Sequence, residues 1–397
     1  MKIFVLNSGS SSIKFQIIDT ESRKTLMKGL CERIGQENSV YTVKNLIKDL
    51  KDKNIEANFV NHKKAIEKVL ELVTDERIGV LKTYDEIDAI GHRVVHGGEY
   101  FKESKIVTEE VLNKIESVSP LAPLHNPANI QGIKVCMELM PTKKNIAVFD
   151  TAFHQSLEKE KYMYALQYED YEKYQIRKYG FHGTSVRYIV NELEKIDPKL
   201  SRVIVCHLGN GASITAVKDG KSFDTTMGFT PLAGIPMGTR SGDLDPSIIE
   251  YLAKVKNMNI EQVLNYLNKN CGMLGLYGKS DNRDILEGIQ NGEDKAKLAL
   301  DIFCSRIASY IGAYYVELGG LDALIFTAGI GENSPETRAA ICERLKVLGI
   351  ELDLDINDIR TDEDLLISNK KSKVKVYRMR TNEELMIALD VKKILGK

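Results

Sequence analysis

Four side chains that could carry chemistry stand at strand ends and in glycine-rich loops of this chain: Arg93, Asp150, His182 and Arg240. Arg93 closes the apolar run Ile87-Asp88-Ala89-Ile90-Gly91-His92-Arg93-Val94-Val95, at the place where open α/β sheets put ligand groups. Its neighbours are apolar, so its charge calls for an anionic partner. Asp150 closes the strand-like Asn145–Asp150, which leaves it open between a turn residue and a catalytic or metal-associated carboxylate. His182 lies in Gly180-Phe181-His182-Gly183, either a loop histidine or a donor to an anion. Arg240 sits in the irregular stretch Thr230–Pro246, just before a helix that Asp245-Pro246 should start.

Two small polar turns could hold a phosphate anion. Asn7-Ser8-Gly9-Ser10-Ser11-Ser12 follows the apolar strand Ile3–Leu6 and precedes the half-buried Ile13–Ile17. Period-2 geometry places Ser10, Ser12 and Lys14 on one face, two hydroxyls and a cation. Gly209-Asn210-Gly211 joins Val203–Cys206, which reads as a buried strand, to Ser213–Val217. Its glycines accept positive φ at little cost and leave N–H groups bare for a phosphate; a plain Asn-Gly hairpin is the other reading. The same device near residues 5 and 205 suggests a duplicated α/β domain with a nucleotide between the halves.

The remaining elements follow in order. Val43–Val73 has a lysine-rich helical pattern, as of a solvated outer face. Asn126 is read as an N-cap with Pro127 at the first helical position. Ser280–Asp284 starts a helix, and Ala296–Leu318 is a long helix in which Gly312 permits close packing. Ala323–Thr327 is a strand that turns through Gly329–Asn333 into the next helix, and Val374–Met379 is a strand leading into a final helix. At its start Glu383 either answers the helix dipole or faces a metal. Gly272–Ser280 resembles a phosphate-binding loop but has Met273 where the spacing requires glycine.

Composition bounds the classes. The 397 residues suffice for two domains with full cores. Lys and Arg total 55 against 56 Asp and Glu, so no basic field points to nucleic acid or an anionic membrane. The N-terminus lacks the order of a signal peptide, and Ala296–Leu318 is too polar to span a bilayer. Six scattered cysteines signal neither a zinc site nor a disulfide framework. A cytoplasmic protein is expected.

Seven motifs in order resemble the acetokinase family, of the actin-like sugar kinase and Hsp70 superfamily. They are Asn-Ser-Gly-Ser-Ser-Ser-Ile-Lys at 7–14, Phe-Asp-Thr-Ala-Phe-His at 149–154, Gly-Phe-His-Gly-Thr-Ser at 180–185 and His-Leu-Gly-Asn-Gly at 207–211. Gly-Thr-Arg-Ser-Gly-Asp-Leu-Asp-Pro at 238–246, Gly-Ile-Gly-Glu-Asn at 329–333 and Thr-Asn-Glu-Glu at 381–384 complete them.

The resemblance implies an α/β, duplicated actin-like (ribonuclease H-like) two-domain kinase fold with a nucleotide cleft between the halves. The expected domains are 1–149, with 384–397 packing back on it, and 150–383, which binds nucleotide and dimerises. The implied reaction is ATP + acetate ⇌ ADP + acetyl phosphate with Mg²⁺, Mn²⁺ being an allowed substitute. Propionate is the weaker substrate and a homodimer the implied assembly. By the same match Arg93 binds the acetate carboxylate, Arg240 and His182 stabilise the transferring phosphoryl group, and Asp150 positions the site or the metal shell. Asn7 and Glu383 form the metal site. Ser10, Ser12, Lys14, His207, Leu208, Gly209, Asn210 and Gly211 hold phosphates. Asp281, Asn282, Arg283, Gly329, Ile330, Gly331, Glu332 and Asn333 hold adenosine. Val95, Leu124, Phe181 and Pro231 line the acyl pocket. An actin- or Hsp70-like ATPase switch without acyl phosphate chemistry is the alternative, though it leaves two arginines without a role.

Overall fold

The structure, a computed structural model, describes residues 1–396. Two compact units divide the chain. The first runs from Met1 to Gln155 and includes the chain from Asn382 onward; the second is Ser156–Thr381.

In the first unit, Ile3–Leu6 is too apolar for any position but a sheet interior, and it forms the centre of strand β1 (Lys2–Ser8). It pairs antiparallel with β2 (Ser12–Asp19), which continues through β3 (Lys24–Glu32), β4 (Val40–Asn45) and β5 (Leu50–Glu56) as a meander. On its other side β1 runs parallel to β6 (Ala89–Val94), and β6 to β8 (Lys144–Phe149), with the short β7 (Lys105–Ile106) on the edge. Helices His62–Thr74 and Asn126–Leu139 cover the sheet, and the final helix Glu383–Ile394 packs on β1 and β6. Gly91 makes that last contact possible: a Cβ there would stand 2.6 Å from Ile387 Cγ2.

The second unit repeats the plan. β9 (Arg202–Leu208), β10 (Ala212–Lys218) and β11 (Lys221–Thr225) form an antiparallel meander. β9 then runs parallel to β12 (Ala323–Thr327), and β12 to β14 (Lys375–Arg378), with β13 (Leu365–Leu366) on the edge. The order β3-β2-β1-β6-β8 in one sheet matches β11-β10-β9-β12-β14 in the other. The fold is a duplicated two-domain kinase fold of mixed α/β type. Helix Asp294–Leu318 buries Phe303, Cys304, Ile307 and Ile311 beneath the second sheet.

Three expectations are corrected. Residues 43–56 are not helical but the end of β4 and all of β5. The Asn45 side chain takes the N–H groups of Ile47 and Lys48, and Asp49 adopts φ 52°, so the chain turns there. The lysines of β5 belong to an exposed edge strand, where charge discourages further pairing. Gly312 permits no close packing, since nothing lies within 4 Å of the position of its Cβ. Asn126 is not an N-cap. It is the first helical residue, and its buried amide instead bonds the backbone of His96 through both ends. The helix start thereby holds the loop that follows β6.

Candidate active site

In both units the residues of interest lie at the carboxyl ends of the parallel strands, where backbone ends diverge and leave room for a ligand. In the first unit, β6 presents Arg93 beside Val148 of β8, and Asp150 follows β8 with its N–H on Val94 O at 3.0 Å. Arg93 donates Nε (2.9 Å) and Nη2 (2.5 Å) to the single oxygen Oδ2 of Asp150, whose side chain is 3% exposed. Asp150 first, and then Glu383, raise the guanidinium pKa further above its ordinary range against the opposing effect of burial. Burial pushes the Glu383 carboxyl up to about 7; Arg93 and Lys14 oppose this, while Asp150 and Glu384 reinforce it. Arg93, Asp150, Lys14, Glu383 and Glu384 thus feel one another as a cluster. Asn129 braces the same corner, accepting from Val95 N and donating to Ser8 O at 2.7 Å. No motif pointed to Asn129.

The polar turn after β1 is less regular than expected. β2 begins only at Ser12, so Ser12 and Lys14 share a face while Ser10 lies in the turn that Gly9 N and Ser12 O close at 2.7 Å. Val95 is buried, whereas Leu124 is 70% exposed.

In the second unit the β9–β10 turn is built differently from what was expected. None of Gly209, Asn210 and Gly211 has positive φ. What Gly211 offers is proximity: a Cβ there would be 3.3 Å from Arg240 Nη1 and 3.5 Å from His182 Nε2. The two nitrogens therefore converge on the bare backbone of the turn. His182 reaches it from a left-handed conformation (φ 59°) at the start of helix Gly183–Ile196. Phe181 is buried beside it, and the Pro231 carbonyl accepts from Arg240 Nη1 at 3.3 Å. Burial lowers the Arg240 pKa from its ordinary value.

The Arg240 loop is held from below. Cys271, Met273 and Leu274 donate backbone N–H groups to Thr239, Met237 and Gly238. Gly272 lies at φ 59°, and a Cβ on it would stand 2.1 Å from Met237 O and 2.5 Å from Arg240 O. The glycine dismissed as part of a false phosphate loop is thus the support of an arginine. Gly272→Ala is expected to shift that loop and lower kcat by about 10²-fold. It should also cost about 1–3 kcal/mol of stability. Steady-state kinetics and thermal unfolding check both; unchanged kcat would count against the support.

A cavity of about 820 Å³ opens beside the turn, within the usual range for small-molecule sites. Of the expected residues, Gly209, Asn210, Asp281, Asn282, Arg283, Gly329, Ile330 and Asn333 line it. Leu286 and Gln290, one helical turn apart beyond Arg283, join them; that spacing was visible in the sequence but unused. His207, Leu208, Gly211, Gly331 and Glu332 do not line it. Gly331 packs on β12, and Glu332 Oε1 accepts from the N–H groups of Ala328 (2.9 Å) and Thr381 (3.0 Å). Asp281 caps helix Asn282–Gln290, and its bond from Arg283 brings its pKa down to about 2. Asn282 is turned inward, onto Ser334 Oγ and Thr337 Oγ1.

Among the described residues no cluster of three His, Cys, Asp or Glu could hold a metal. No described helix is long and apolar enough to cross a membrane.

A family model described as the acetokinase family matches residues 2–389. A Thermotoga maritima protein named acetate kinase is 52% identical over 406 aligned positions, spanning 100% of this chain and 99% of its own. One from Fusobacterium nucleatum with the same name is 51% identical, with 98% of each chain covered. Among solved structures, Porphyromonas gingivalis acetate kinase superposes with a TM-score of 0.95 at 41% identity, covering 99% of each chain. A propionate kinase from Francisella tularensis gives 0.92 at 42%, covering 98% of each. With one family spanning almost its whole length and relatives of about half identity at full coverage, this chain belongs to the acetokinase family.

Proposed function

We propose that the chain transfers the γ-phosphoryl group of ATP reversibly to acetate, giving acetyl phosphate and ADP. The observation that carries this is the convergence of Arg240 Nη1 and His182 Nε2 on Gly211, in a turn whose Gly209 and Asn210 line the 820 Å³ cavity. A nucleotide in that cavity has its phosphates led along bare backbone towards two nitrogen donors.

The acceptor is a carboxylate, ionised at neutral pH, so the reaction needs no general base. One carboxylate oxygen forms a bond to the γ-phosphorus while the bond from that phosphorus to the bridging oxygen breaks, and ADP keeps the electron pair. No proton moves. The obstacle is the approach of two anions, and it is met by positioning and countercharge. Arg93 is the proposed acetate cation. Two of its donors are committed to Asp150, which fixes the plane of the guanidinium and leaves its Nη1 edge for the substrate. Arg240 and His182 are the proposed donors to the equatorial oxygens. Ser12, Lys14, Ser10 and the His207–Gly211 turn are assigned to the phosphates, and residues 281–283 and 329–333 to adenosine.

A divalent cation fits the charge balance of the first unit. Asp150, Glu383 and Glu384 outnumber Arg93 and Lys14 in the cluster. Mg²⁺ keeps several of its waters and is bound through one or two protein groups together with substrate phosphates. Asn7 and Glu383 would hold it, partly through water, with Mn²⁺ as a substitute; bound, it supplies countercharge to the phosphates. The same family reading carries a homodimer, which sedimentation would test, and a cytoplasmic location.

The test is ADP release from ATP with acetate, propionate or no acceptor. Acetate should give the highest kcat/KM and propionate a lower one, within the about 10–200-fold that one methylene supports. Turnover independent of acceptor would instead favour the ATPase switch.

A further inference from the structure

His182 and His207 lie one over the other, with ring centroids 4.1 Å apart and a tilt of 20°. Each has its Nδ1 against a serine hydroxyl, His182 on Ser213 at 2.9 Å and His207 on Ser185 at 2.8 Å. Both serines are 0% exposed. Ser213 is also the cross-strand partner of His207 in the β9–β10 pairing, so one hairpin sets the spacing of the stack. Ser185 is anchored in turn by Thr381 Oγ1 at 2.7 Å, and the Thr381 N–H goes to Glu332 Oε1, which also takes Ala328 N. Thus the His207 ring is wired to the short helix Ala328–Asn333, whose Gly329, Ile330 and Asn333 line the cavity.

Two imidazolium rings stacked at this distance would repel each other strongly. An imidazole whose Nδ1 accepts a hydroxyl proton is neutral and carries its own proton on Nε2. Resting on the phosphoryl-transfer reading above, we propose that Ser185 and Ser213 are positioning residues that hold both imidazoles as Nε2–H tautomers. The site then offers His182 as a neutral, aimed donor stacked on a neutral His207, and Arg240 supplies the positive charge. His182 Nε2 already faces Gly211 beside Arg240 Nη1. Such an arrangement keeps two rings in one small space without two charges, and it gives each a single donating direction. Neither serine touches a reacting atom in this account.

The experiment is ¹⁵N imidazole spectroscopy on the full chain, with signals assigned through His182→Asn and His207→Asn. In the wild type both rings should show a proton on Nε2 and an accepting Nδ1. Ser185→Ala should disturb the His207 tautomer and Ser213→Ala that of His182. Each should lower kcat by about 10–100-fold, with KM for acetate little changed. A proton on Nδ1 of either wild-type ring, or variants that keep both spectrum and kcat, overturns the inference while acyl phosphate formation stands. Failure of the wild type to form acetyl phosphate would remove the kinase reading itself, and the serine roles with it.

Discussion

Arg240→Ala is expected to lower kcat by about 10³–10⁵-fold, the range for removing an arginine that meets a transferring phosphoryl group. KM for ATP and acetate should move far less. Among the described residues the Arg240 guanidinium makes only weak contacts, to the Pro231 carbonyl at 3.3 Å and the Met237 thioether at 3.5 Å, and no ion pair. Burial lowers its pKa. Under the function proposed above, a cation held in that way, on a loop tied by three backbone bonds to residues 271–274, gains its partner when phosphate charge arrives. Arg240→Lys keeps the charge and loses the planar fork, and should recover little. Steady-state rates with thermal unfolding as a fold control decide it. A kcat within about threefold of wild type would remove Arg240 from the transfer step.

Arg93→Ala should act on the other substrate. Truncating one member of a buried charge pair costs about 2–5 kcal/mol, so kcat/KM for acetate should fall about 10²–10³-fold. KM for ATP should hold. Part of the damage will be to stability, because Asp150 stays buried without its cation, at a cost of about 3–5 kcal/mol. The double variant Arg93→Ala, Asp150→Ala separates the two effects. It removes the stranded charge and should regain stability, yet it should not regain acetate turnover. Recovery of both would make the pair a structural tie alone.

The features legible in the sequence were those that one segment specifies by itself. Val203–Val217 announces a buried hairpin through β-branched residues on either side of Gly-Asn-Gly, and its echo at residues 3–17 gave the duplication. Arg93 and Asp150 were legible because an apolar run that ends in a charge places that charge at a sheet's carboxyl edge. Residues 43–56 were misread because alternating lysines fit a solvated helix face as well as an edge strand, and only the Asn45 turn separates the two. The Gly209–Gly211 turn was found for the wrong reason. Its Gly211 serves the approach of Arg240 and His182, which come from 29 positions before and after it in sequence. Gly272, Ser185 and Ser213 carried no local signal, since each acts through a partner distant along the chain. Leu124 and Glu332 show the reverse: positions assigned by the resemblance whose side chains in this structure are exposed or turned onto backbone.

The most direct test is hydroxylamine trapping of acyl phosphate from ATP, Mg²⁺ and acetate, with wild type and Arg93→Ala side by side. Acetohydroxamate from the wild type, and little or none from the variant at the same acetate concentration, is the predicted result. ATP hydrolysis by the wild type without any hydroxamate would contradict the account.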